Sequence, residues 1–158
     1  MGPFPFGSMR DSRISVGIKV GTVAAAATIG AVIGLGLRHG LALRPFASTG
    51  RALFEKLGIA GTASASALVG LTAVACAIIV LGVCFTVVAA PLRGLRLLGA
   101  AIVFGAIAWG VSAFVVPSIL EWSTIAVLGG AQRLFIFGML TIALVAGMRL
   151  ARSSIQID

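Results

Sequence analysis

The chain has 158 residues, 59% hydrophobic and 10% charged, with 12 lysines and arginines against 4 acids and a formal net charge of +8. A soluble particle of 15.9 kDa must cover much of its surface with polar side chains, which this composition does not supply. Two cysteines exclude a disulfide scaffold, and a mean hydropathy of +1.16 excludes a disordered chain, leaving an integral membrane protein.

Residues 1–13 interleave Gly2, Pro3, Pro5 and Gly7 with Phe4 and Phe6, a composition that predicts an irregular tail. A helix needs ~20 mainly apolar residues to cross ~30 Å of hydrocarbon. Residues 20–37 carry no formal charge, and Lys19 is near enough to their start to snorkel. The first span is expected over 14–37. Its apolar core is too long for a cleaved secretory signal, and Arg38, His39, Gly40 and Leu41 offer no small-x-small cleavage site.

In the loop 38–66, Ser48 and Thr49 read as a helix start and Gly58 as a stop, predicting a short helix over 48–58. Arg51 and Glu55 are spaced for an i, i+4 ion pair. Leu53, Phe54 and Leu57 fall on one side, so this helix is expected to lie in the interface with that side against lipid or the bundle.

The charge-free run 57–92 opens on small polar residues over 61–66 and closes at Pro91, which disfavours helix just before it. The second span is expected over 67–90 and the third over 97–117, ending at Pro117. The fourth is interrupted by Arg133. An arginine at the bilayer centre costs at least ~2.5–3.5 kcal/mol on insertion scales. The expected helix is therefore 129–148 with Arg133 in its first turn, after an interfacial connector over 118–128. A tilted helix from Thr124 with a deeper Arg133 is the alternative; residues 149–158 form a C-terminal tail. No stretch alternates as a β-barrel strand would. The fold class is thus all-α, a four-helix transmembrane bundle with a short interfacial helix in the first loop.

Arg10, Arg13, Lys19, Arg93, Arg96, Arg149 and Arg152 share one face, against Arg38, Arg44, Arg51, Lys56 and an interfacial Arg133 on the other. By the positive-inside rule both termini are cytoplasmic. These bases flank spans, where lipid headgroups are the expected partners and nucleic acid is not.

Lipid is as apolar as leucine, so spans associate through close backbone approach at small residues. Gly17 and Gly21 form one Gly-x-x-x-Gly and Gly30 and Gly34 another, while Thr22, Ala26, Gly30 and Gly34 make a stripe at four-residue spacing. The second span carries Ser66, Gly70, Ala73 and Ala77 along one side. The third has Ala106 and Gly110 on one face, with Ala101 and Gly105 on another. A bundle of four needs roughly one inward face per helix, so the extra faces point to other transmembrane helices, in a hetero-complex or a homo-oligomer.

Catalytic signals are sparse. His39 stands alone, and Cys76 and Cys84 are separated by ~12 Å of helical rise, too far to bridge. Glu121, between Pro117 and Trp122, reads as a boundary residue paired with Arg133. No phosphate-loop, zinc-protease or nucleophile-elbow motif occurs, and neither a cofactor nor a metal is expected. The lack of tyrosine, the preference for arginine over lysine and the abundant alanine and glycine fit a GC-rich bacterial source. The expected function is a non-catalytic subunit of a bacterial inner-membrane complex. It would pack through Gly17, Gly21, Ala26, Gly30, Gly34, Ala106 and Gly110. The alternative is a small homo-oligomeric transporter or channel with Glu121 and Arg133 near its pathway.

Overall fold

In hydrocarbon every backbone N–H and C=O must be satisfied within its own segment, and long apolar runs without internal proline meet that demand as helices. A computed structural model describes residues 6–38, 43–115 and 129–155, with side chains over 13–38, 43–114 and 129–153. Among them the regular elements are all helical: α1 (Phe6–Arg38), α2 (Arg44–Leu57), α3 (Ala63–Ala89), α4 (Leu95–Gly110) and α5 (Gly130–Ile155). A π-helical segment, Val111–Val115, continues α4. Among the described residues four helices are long and apolar enough to cross a membrane. The protein is a multi-pass, all-α membrane bundle.

The packing order is α3, α1, α5, α4, each neighbour antiparallel to the next, with α2 laid against α3. α1 and α5 are the most buried spans and α4 the least. The main core joins Val20 and Ala24 of α1, Phe85 and Ala89 of α3, Leu97 and Ala101 of α4, and Leu144 and Met148 of α5. α3 and α4 meet near their shared turn, where Phe85 and Phe104 stack edge to face at 5.4 Å. A second, smaller core holds Val32, Phe46 and Ile136. The two ends of the bundle are distinct. At the tail face α1 begins, α3 turns into α4 and α5 finishes; at the loop face α1 ends, α2 sits and α5 begins.

Several expected boundaries move, each for a physical reason. Of the tail expected to be irregular over 1–13, residues 6–13 are helical, with no proline among them to interrupt the backbone hydrogen bonds, and residues 1–5 lie outside the described residues. α2 starts at Arg44, four residues before the expected 48. Pro45 occupies its first turn, and the Ser48 and Thr49 hydroxyls donate back to the Pro45 carbonyl instead of capping. Gly58, at φ 67°, ends α2: its N–H donates to the Glu55 carbonyl while the Ile59 N–H donates to that of Phe54, a Schellman pattern. α3 starts at Ala63, because the Thr62 hydroxyl accepts from the Ala65 N–H as an N-cap and Ser64, Ser66 and Thr62 are absorbed into the first turn. α5 continues past the expected 148 to Ile155, since Arg149 and Arg152 do not interrupt a helix that has reached the headgroup region. The expected connector over 118–128 lies outside the described residues.

Candidate functional site

The candidate site is a set of helix faces, and α1 carries two of them. Gly17 and Gly21 face α3. A Cβ on Gly17 would stand 2.8 Å from the Val83 Cα, and one on Gly21 would stand 2.6 Å from the Ile79 Cα. From the other side, a Cβ on Gly82 would run into the Gly21 Cα. This is backbone-to-backbone contact of the kind that small residues permit. Gly147 of α5 approaches the opposite flank of α1, where its Cβ would meet the Val20 Cα at 3.1 Å.

The second face of α1 is left uncovered by the described residues. Thr22, Ala26, Gly30 and Gly34 are all exposed, and among the described residues a Cβ on Gly30 or Gly34 would meet nothing within 4 Å. The five α1 positions expected to pack against other helices therefore split: Gly17 and Gly21 are consumed inside the bundle, and Ala26, Gly30 and Gly34 are left outside on the stripe that begins at Thr22. α4 divides in the same way. Ala101 is fully buried and Gly105 faces the Thr141 hydroxyl of α5, while Ala106 is exposed and Gly110 has no neighbour within 4 Å of a Cβ. Of the two faces in the sequence, the one with Ala101 and Gly105 packs; on the other, Ala106 is exposed and Gly110 half-buried, with no described residue within 4 Å of a Cβ at Gly110.

On α3, Ser66 and Gly70 serve α2. The Ser66 carbonyl blocks any Cβ on Gly50, and the Phe46 carbonyl blocks any on Gly70. Ala77, further along the expected stripe, is exposed. The side of the loop helix expected against lipid or the bundle is only partly covered by the protein. Pro45, Phe46, Thr49, Gly50 and Ala52 are the buried residues, whereas Leu53 and Phe54 are half-buried and Leu57 is exposed. With the helix starting at Arg44, its first two turns, not its last, face the bundle, and Phe46 enters the small core completely. Phe54 instead covers Gly61 of the following loop.

At the tail face, Arg152 folds across the end of α3. One terminal guanidinium nitrogen lies 3.2 Å from the Ala89 carbonyl, 3.0 Å from that of Ala90 and 2.9 Å from that of Leu92. Ala89 and Ala90 close α3, at the negative end of its dipole, and Leu92 lies in the turn beyond; the Ala89 carbonyl also accepts the Leu92 N–H at 3.0 Å. At the other end of α5, the Gly129 N–H donates to the Gln132 side chain at 3.0 Å, half of a capping box. Arg133 is half-buried in the first turn of α5. Its expected partner Glu121 and the lone His39 lie outside the described residues. Cys76 and Cys84 are exposed on α3. Among the described residues no cluster of three or more His, Cys, Asp or Glu side chains is assembled to hold a metal.

Gly82, Gly147, Phe46 and Arg152 were not singled out in the sequence. Gly82 sits four residues before Thr86 on the side of α3 facing α1, a small-residue spacing that was readable; nothing in the sequence told which glycines of two spans would meet. No family model, curated protein or solved structure matches this chain.

Proposed function

We propose that the protein is a non-catalytic assembly subunit of a bacterial inner membrane, with both termini cytoplasmic, that binds other transmembrane helices through the outer face of α1. One observation carries this reading: the stripe of Thr22, Ala26, Gly30 and Gly34 is open although the bundle is already closed on both flanks of the same helix. An exposed glycine costs a helix roughly 1 kcal/mol relative to alanine, and gives nothing back against lipid. Two of them at i, i+4 form a shallow groove into which another helix backbone fits. The cytoplasmic placement of the termini is supported by the excess of arginine and lysine at the tail face.

The test is gentle purification of the wild type and of Gly30→Leu and Gly34→Leu from native membranes. The expected result is a co-purifying membrane protein with the wild type that both variants lose while each still elutes as a folded monomer. Retention of the same partner by both variants would exclude this face.

A further inference from the structure

We propose that the tail face holds an anionic phospholipid, with its phosphate among Arg93, Arg96 and Arg149 at the α3–α4 turn. Arg152 ties the end of α5 to Ala89, Ala90 and Leu92, so the turn and the last turns of α5 are fixed side by side. Arg149, one turn earlier on α5, shares that side of the helix. Arg93 and Arg96 flank the same turn at its α4 end, and all three are exposed. Arg152 already satisfies the α3 carbonyls, so the charges of the other three are not spent on the helix end. Among the described side chains the one acid is Glu55, on α2 at the opposite face, and it neutralises none of them.

Three exposed guanidiniums with no carboxylate beside them among the described side chains form an anion site, and the neighbouring residues say which anion. Leu95, Leu98 and Leu150 alternate with the arginines and are exposed, Leu95 to 86%. A free phosphate has no use for bare leucines. A lipid with an acidic headgroup and acyl chains satisfies both groups at once, as basic clusters beside spans do for anionic lipids.

The experiment is native mass spectrometry of the full chain from nanodiscs containing equal parts phosphatidylcholine and phosphatidylglycerol, with inorganic phosphate titrated into lipid-free detergent samples. The wild type is expected to retain phosphatidylglycerol selectively. The triple variant Arg93→Gln, Arg96→Gln, Arg149→Gln should lose that preference by on the order of 100-fold, and the corresponding lysine triple should keep most of it. A loop-face triple, Arg38→Gln, Arg44→Gln, Arg51→Gln, should retain it in full. Equal retention by the tail-face glutamine triple, shown folded by circular dichroism, overturns the site. Inorganic phosphate stabilising the wild type as strongly as phosphatidylglycerol overturns the assignment to a lipid.

Discussion

Gly21 and Gly82 meet where α1 crosses α3, so closely that one methyl group on Gly82 would occupy the space of the Gly21 Cα. The contact is between backbones, and no side-chain rearrangement relieves a clash there. Gly82→Val and Gly21→Val are expected to cost at least about 1–3 kcal/mol by overpacking. Gly30→Val, on the open face of the same helix, should leave monomer stability nearly unchanged. Unfolding titrations in mixed detergent and SDS micelles measure the difference, and equal losses at all three positions would show that the crossing is not at this point.

Among the described side chains at the tail face, Arg152 binds the backbone at the end of another helix. Replacing it by methionine keeps the stem and removes the donors, leaving the Ala90 and Leu92 carbonyls to find other partners while that of Ala89 keeps the Leu92 N–H. The expected loss is about 1–3 kcal/mol, with partial recovery in Arg152→Lys, whose ammonium reaches as a point donor without the planar fork. Thermal unfolding in detergent, with proteolysis of the turn over 90–94 as a local readout, checks both. A methionine variant as resistant as wild type would remove the proposed tie.

Phe46 fills the small core and Gly70 lets the α2 backbone lie on α3. Phe46→Ala should cost on the order of 3 kcal/mol, and Gly70→Leu should displace α2 without unfolding the spans. Thr49→Cys is a reporter for this docking, since Thr49 is buried. With Cys76 and Cys84 replaced by alanine, it should resist a maleimide in the otherwise native chain and react in the Gly70→Leu background. Labelling at equal rates in both would mean that α2 is not seated on α3.

The spans were legible because the cost of charge in hydrocarbon leaves long uncharged runs, and those runs are helices. The boundaries were less so, because the ends of helices are set by capping and not by charge: Ser48 and Thr49 look like an N-cap yet bond backward to Pro45, while Thr62, inside a polar stretch, is the residue that caps α3. Small residues announced packing surfaces without naming their partners. Gly17 and Gly30 look alike in sequence, and only the rotation of α1 against α3 and α5 places one inside and the other outside. Phe46 and Arg152 were invisible as anchors, since both act on residues whose nearness depends on the whole topology.

Thr28 is 6% exposed, and its hydroxyl is the buried side-chain polar atom without a hydrogen-bond partner among the described residues. A buried, unsatisfied hydroxyl is a cost that valine, of nearly the same shape, does not carry. Thr28→Val is expected to be neutral or to stabilise the protein by on the order of 1 kcal/mol. A clear loss in thermal midpoint would mean that this hydroxyl has a bonding role in the membrane.

The partners of α2 and α5 also differ in when they become available during synthesis. α2 lies mostly on α3, the next helix to emerge, so this hairpin can close while the ribosome is still making the third crossing, and only the Phe46 core waits for Ile136 of α5. Arg152 must wait for the whole of α5 and then reach carbonyls 60 to 63 positions upstream. The last turns of the polypeptide thus act as a latch, and a chain truncated before residue 152 would hold its early hairpin while its final crossing stood unfastened.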